Sequence, residues 1–425
     1  MIAVAVSVIL AVLFSAATLF GYMNPDAGTF LAFVSVLAAL ILKDKHKVKR
    51  EGIILIRRTL RGREFIDRIQ KKHTMTWSAV AKIGVVVGIL FMIIGAAFLA
   101  SQTMKILDGS KEGGVRLILP GPVSQPNADV PGVFLFPWWI WVIGIAAVII
   151  PHEFMHGIMC RLEGIRIKSV GWILLLVIPG AFVEPDEKQL QKAKRSTKLK
   201  VYAAGSFANI AIAFMILAVF ASVFAVAFQS SGLAVQTVDG GPANLSGLRG
   251  AITSIDGREI RNMEDLSEAL SAYSPGDTVS VKATDFRHIT PKFGLDISPQ
   301  PVAISEGNER EYLVALTEKN DTKGIDAQGR QTPKSYLGVV PRMEAYSTAL
   351  PAAGYSFVSM IFLYIYIFSL GIGIVNLLPL KPLDGGLIFE EIVGRFTGRH
   401  KKIVAFMSSL MLLLLLFNLV GPLLI

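Results

Sequence analysis

Seven apolar stretches, most of them close to the length needed to cross a bilayer, constrain this chain more than any other feature. They are Met1–Gly21, Ala27–Leu42, Ser78–Ala100, Phe134–Cys160, Val201–Phe228, Gly354–Leu380 and Ile403–Ile425. A helix needs about 20 apolar residues to span the hydrocarbon core. Ala27–Leu42 has 16 and needs tilt or neighbours to serve as a span. Lipid offers no partner to a bare amide, so such stretches must be helices with their backbone bonds made internally. An eighth apolar run, "VGWILLLVIPGAFVEP" (Val170–Pro185), is too short to cross and is broken by Pro179 and Gly180. It reads as a re-entrant or hairpin element. The fold class expected is a polytopic α-helical membrane protein of about seven spans.

The 425 residues are 52% hydrophobic and carry a net charge of +10. That charge could suit nucleic acid, but its position argues otherwise. Lys and Arg number 12 in the loop 43–77, 9 in 161–200 and 5 in 381–402, against 3 in 101–133. Basic residues collect in cytoplasmic loops. Seven alternating spans then place the N-terminus in the cytoplasm and the C-terminus outside, in a multi-pass protein of the cell membrane. The loop 43–77 reads as a solvated basic loop, with anionic lipid as a further contact and no nucleic-acid role. No basic residue precedes the first run, so Met1–Phe20 reads as a span rather than a cleaved signal peptide. The single cysteine, Cys160, excludes an intrachain disulfide. No internal repeat of the kind transporters show is visible.

Residues 230–352 differ in character, with 16 acids, 12 bases and frequent Gly and Pro. Strand-like pieces ("LAVQTV", "AITSIDG", "TVSVKAT", "YLVALTE") flank a helix-like "MEDLSEALSAY" with apolar positions at 263, 266 and 270. This small α/β segment resembles a PDZ domain of the bacterial, permuted type over about residues 230–342. PDZ domains take extended peptides at a sheet edge. A spacer without ligand is the plainer reading.

The chemistry sits in "IIPHEFMHGIMC", Ile149–Cys160, at the end of the fourth apolar stretch. Ionisable groups in a span cost about 2.5–3.5 kcal/mol each and usually mark function. On a helix His152 and His156, four apart, face the same way and can share one ion. Glu153 then flanks the site, where a general base belongs. Imidazole and carboxylate donors point to zinc with one open position. Such an ion lowers the pKa of a water from about 15.7 to about 7. A proton relay and a structural metal site are the other uses of such a cluster. A third protein ligand is needed. Asp384, in "NLLPLKPLDGG" (Asn376–Gly386), ends the sixth apolar stretch at the same expected membrane depth. Pro379 and Pro382 break the helix there, and Gly385 and Gly386 permit a tight backbone. A plain turn aspartate is the other reading of Asp384.

H-E-x-x-H in one span, N-x-x-P and L-D-G-G in a later one, and a PDZ-like segment between them resemble the site-2 protease family of intramembrane metalloproteases. The resemblance covers about residues 134–390. It implies that His152, His156 and Asp384 ligate Zn2+, that Glu153 is the catalytic acid/base, and that the substrates are peptide bonds within or near transmembrane segments of membrane proteins. It also implies a G-x-x-x-N pattern, met by Gly205 and Asn209 in "GSFAN". Asn209 and Asn376 are then candidate substrate-binding residues, and helix–helix packing amides are their alternative. The hairpin would offer a strand edge to an unwound substrate. Lys381 stands where the family often has a second proline. The expected division is 1–77, an N-terminal helical pair and basic loop; 78–229, a membrane core with HExxH, hairpin and GxxxN; 230–342, an extracytoplasmic PDZ-like domain that binds peptide termini or screens substrates; and 343–425, a membrane core with LDGG. The competing function is a membrane-anchored PDZ-type scaffold with a structural or degenerate metal site.

Overall fold

A computed structural model describes residues 2–43, 48–52, 54–59, 61–110, 115–121, 133–175, 178–292, 300–325 and 331–423. The chain opens with α1 (Ile2–Leu19) and α2 (Pro25–Lys43), and α2 starts on a proline whose missing N–H costs nothing there. An antiparallel pair, β1 (Val48–Glu51) and β2 (Ile54–Thr59), leads to α3 (Arg61–Lys72) and then α4 (Thr74–Leu107). β3 (Leu117–Gly121) and β4 (Val133–Pro137) pair in parallel ahead of α5 (Trp138–Leu162). β5 (Ile167–Leu175) and β6 (Ile178–Pro185) pair antiparallel, and α6 (Glu187–Lys192) and α7 (Arg195–Ala227) follow. Next come β7 (Phe228–Thr237), α8 (Pro242–Leu245), β8 (Ala251–Ile255), β9 (Arg258–Glu259), α9 (Met263–Leu270) and β10 (Thr278–Lys292). β11 (Gln300–Ala315), β12 (Thr317–Ile325), β13 (Gln331–Tyr336) and β14 (Val339–Thr348) precede α10 (Ala352–Leu377), α11 (Asp384–Phe396) and α12 (His400–Val420).

Among the described residues seven helices are long and apolar enough to cross a membrane: α1, α2, α4, α5, α7, α10 and α12. α4, at 34 residues, and α7, at 33, outrun their apolar stretches by the most. Polar ends such as Thr74–Trp77 continue the helix because nothing there breaks it. The chain divides into two compact units, Met1–Met215 with Tyr364–Ile425, and Ile216–Leu363. The division falls within α7 and α10.

In the first unit, small residues bring helices close. A Cβ on Gly88 of α4 would stand 3.2 Å from Ala203 of α7, and one on Gly95 2.9 Å from Ile374 of α10. Asn418 of α12, fully buried, donates through Nδ2 to the Leu99 carbonyl of α4 at 3.1 Å. A polar group in the last span therefore serves as interhelical glue.

The basic segment after α2 is folded rather than a solvated loop. β2 pairs antiparallel with β5, Ile54 opposite Leu175 through Thr59 opposite Val170. The sheet order is β1-β2-β5-β6, so the short apolar run is a hairpin built into a four-stranded sheet. Its tip at 176–177, like His46, lies outside the described residues. α3 is amphipathic and buries Ile66 completely. Gly157 of α5 makes room: a Cβ there would lie 2.7 Å from Ile66 Cδ1. Beside it Arg161 of α5 donates two hydrogen bonds to the Asp67 carboxylate. Charge dominates this segment's composition, but "ILIRRT" has strand propensity and Phe65, Ile66 and Ile69 fall on one helical face.

Replacing Ile66 by Ala is expected to cost about 2–5 kcal/mol, because a sealed site cannot collapse around the lost atoms. Denaturant unfolding in detergent checks this. A loss below about 0.5 kcal/mol would mean that α3 is not packed as described.

In the second unit β10, β11, β14, β7 and β8 hydrogen-bond in that order, and β8 also pairs with β10, which closes a barrel-like sheet. β9 extends β8 as a short hairpin arm. Leu233, Leu248, Ile252, Ile255, Leu266, Val279 and Val281 fill its core. The helix-like "MEDLSEAL" is α9, capped by Asn262 Oδ1 accepting from the Asp265 N–H at 2.9 Å. β10 and β11, at 15 and 16 residues, run well past the strand-like pieces visible in the sequence.

Candidate metal centre

His152 and His156 lie one turn apart on α5, and their Nε2 atoms approach to 3.2 Å. Asp384, the first residue of α11, brings Oδ2 to 3.5 Å from His152 Nε2 and 3.4 Å from His156 Nε2. Those side chains are only 11%, 17% and 15% exposed. Three donor atoms thus form a nearly equilateral triangle. An ion with tetrahedral bonds of about 2.0–2.1 Å holds its donors about 3.3 Å apart. The donor set and its edges fit zinc.

Hydrogen positions support that fit. His156 Nδ1 lies 2.7 Å from the Val201 carbonyl, which can only accept. Nδ1 therefore carries the ring hydrogen in the neutral imidazole, and Nε2 offers its lone pair to the triangle. Two imidazole lone pairs and a carboxylate oxygen converging on one point repel each other, and a divalent cation or a shared proton between them removes that repulsion.

Glycines let the backbones come this close. A Cβ on Gly205 of α7 would run into Nε2 of His156 and stand 2.6 Å from Nε2 of His152. Only a bare Cα lets α7 lie on the imidazoles. The turn before α11 folds back on the end of α10. A Cβ on Gly385 would meet the Leu377 carbonyl, and one on Gly386 would stand 2.6 Å from the Leu380 carbonyl carbon. The two glycines after Asp384 thus allow α11 to begin at the depth of the histidines.

Ser206 Oγ donates to Asp384 Oδ2 at 2.9 Å, and Ser206 is fully buried. Lys198 Nζ reaches Glu391 Oε1 at 2.9 Å and ties α7 to α11. At the end of α5, Glu163 accepts from Thr197 Oγ1 at 2.7 Å and from Lys200 Nζ at 2.6 Å. Burial pushes the Glu163 carboxyl up, but these hydrogen bonds outweigh it and hold its pKa below the ordinary value.

Glu153 stands beside the triangle. Its Oε2 accepts the Val183 N–H of β6 at 3.0 Å. Among the described residues β6 has no strand on its other side, and there the Val183 amide is taken by Glu153 of α5. Asn209 of α7 is fully buried, with Nδ2 3.1 Å from His152 Nδ1. Asn376, half-buried near the end of α10, has no hydrogen bond to this cluster among the described residues. The fold therefore gathers His152, Glu153, His156, Asp384 and Asn209 and leaves Asn376 without a bond to them. Of the remaining described histidines, His73 and His288 are exposed and His400 is half-buried. Ser206, the Val201 carbonyl and the Val183 amide were missed from sequence. Ser206 meets a partner 178 residues away, and no local pattern announces that.

Comparison with known proteins identifies the family. The sequence profile of peptidase family M50 matches residues 140–417, well over half of the chain. Over 270 residues the chain is 29% identical to an uncharacterised protein of Methanocaldococcus jannaschii, MJ0971, covering 61% of this chain and 68% of that one. Over 262 residues it is 25% identical to the regulator of sigma-W protease RasP of Bacillus subtilis, covering 55% of this chain and 60% of RasP. With both the H-E-x-x-H helix and the L-D-G-G turn inside the matched range, the chain belongs to peptidase family M50, the zinc-dependent metallopeptidases of the site-2 protease family.

Proposed function

We propose that this protein is an intramembrane zinc endopeptidase that hydrolyses peptide bonds within or near transmembrane segments of membrane-protein substrates. The triangle of His152, His156 and Asp384 donors, with Glu153 alongside, is the observation that carries the reading. Those three side chains would hold the ion. Zinc, when bound, supplies Lewis acidity toward water and toward the scissile carbonyl.

The other work falls to the chain. Glu153 takes a proton from the attacking water and returns it to the leaving amine. The Val183 amide holds one carboxylate oxygen and so limits how the Glu153 side chain can turn. A substrate helix hides its carbonyls in its own hydrogen bonds and must unwind before attack. The free edge of β6, beside Glu153, suits such an extended segment, because strand addition satisfies the freed amides. Asn376 is a candidate substrate contact near the end of α10.

We further propose that residues 230–342 form a PDZ-like domain outside the membrane that takes peptide termini or screens bulky substrates, with the N-terminus in the cytoplasm. The barrel-like sheet with α9 against it supports the first part, and the basic loops support the orientation. External protease digesting 230–342 in intact cells is the expected readout of that orientation, and protection there would reverse it.

The activity test is cleavage of two single-span reporters in liposomes, one with a short and one with a large ectodomain. The expected result is a cut within the span of the short reporter, with zinc bound to the protein. Activity should vanish on chelation and return with zinc. Deleting 232–342 should let the large reporter be cut. A protein that holds zinc and cuts no reporter would point to a scaffold with a structural metal. Unchanged selectivity after the deletion would remove the screening role.

A further inference from the structure

We propose that Asn209 is a positioning residue of the metal centre: its side-chain oxygen accepts the Nδ1 hydrogen of His152 and keeps the Nε2 lone pair aimed at the triangle. The inference rests on the zinc peptidase reading. A neutral imidazole carries one ring hydrogen, and the ligating nitrogen must be the other one. In His156 the Val201 carbonyl settles the matter at 2.7 Å. His152 has the same need, since its Nε2 is the atom that faces His156 Nε2 and Asp384 Oδ2. Its Nδ1 must therefore donate.

The neighbour of that nitrogen is Asn209. As oriented, Nδ2 lies 3.1 Å from His152 Nδ1, so an N–H donor confronts a nitrogen that must itself donate. The same amide leaves Oδ1 buried without a hydrogen-bond partner. Amide oxygen and nitrogen have nearly the same shape and are assigned from the bonds they make. Turning the group by 180° exchanges the two atoms and gives Nδ1–H an acceptor. The NH2 then takes the unpartnered place, so the net gain is one hydrogen bond in place of two opposed donors.

Spacing explains why α7 can do this. Gly205 lies against the imidazoles because it has no Cβ. One turn further on, the same helical face brings residue 209 to the back of the His152 ring. Full burial leaves Asn209 no surface for substrate, which sets this role apart from substrate binding. The backbone of Gly205, which lies against the same ring, is the rival for this task. Residues behind metal-binding histidines typically contribute 10–100-fold to metal affinity.

The test is zinc affinity of the full-length protein in detergent, read by competition with a chromophoric chelator, for wild type, Asn209→Leu and Asn209→Asp. Leucine matches the size and removes the acceptor. Aspartate matches the size and can only accept. The expected result is zinc binding about 10–100-fold weaker for the leucine variant. The aspartate variant should hold zinc at least as tightly as wild type. If the leucine variant keeps wild-type affinity, the Gly205 backbone suffices and the proposal fails. It also fails if that variant keeps its zinc and only raises KM, since Asn209 is then a substrate contact. Should the leucine variant not fold, a tenfold loss in the aspartate variant overturns the proposal by itself. Wild type that binds no zinc would instead sink the peptidase reading on which it rests.

Discussion

Glu153→Gln is expected to cut the rate of reporter cleavage by about 10²–10⁴-fold, the usual contribution of a positioned acid/base, while leaving zinc content unchanged. The glutamine is isosteric and can still accept the Val183 N–H through its amide oxygen. It cannot take a proton from water at neutral pH. Because Glu153 is not a corner of the donor triangle, metal binding should survive. Simultaneous loss of zinc would mean that Glu153 ligates. A variant cutting within threefold of wild type would mean that another group is the base.

Gly205→Val should abolish both metal binding and cleavage although residue 205 has no reacting group. Any Cβ there would run into Nε2 of His156 and stand 2.6 Å from Nε2 of His152. The imidazoles, backed by the Val201 carbonyl and Asn209, have nowhere to retreat. The expected zinc affinity is at least 100-fold lower, because two of the three proposed donors are displaced together and outer contacts alone are worth 10–100-fold. Gly371→Ala on α10 is the control, since nothing lies within 4 Å of a Cβ there. It should bind zinc and cut like wild type. A valine variant that keeps its zinc would show that the helices part more easily than their packing implies. Helical content measured by circular dichroism separates a local clash from a failure to fold.

The spanning helices were legible because an apolar run of about 20 residues has one fate in a bilayer. His152, Glu153 and His156 were legible because a helix fixes what i, i+1 and i+4 can share. The sheet around the hairpin was not. Its β2 strand comes from a segment whose 12 basic residues read as a loop, and a count of charge does not register a 12-residue amphipathic helix or a six-residue strand. The long arms of β10 and β11 were underestimated for a related reason, since pairing partners extend strands that local pattern leaves indistinct.

The sequence by itself determined that this chain crosses a membrane several times, that two imidazoles share a helical face with a carboxylate beside them, and which family's motifs it carries. Tertiary structure alone decided the rest. It set Asp384 at 3.4 Å from His156, Ser206 against Asp384, Asn209 against His152, and the β6 edge against Glu153. The physical reason is range. Helical periodicity is a property of four neighbouring residues, whereas a metal centre closes contacts over tens to hundreds of residues. Those contacts exist only where packed helices, thinned by Gly157, Gly205, Gly385 and Gly386, come close enough for side chains from separate elements to meet.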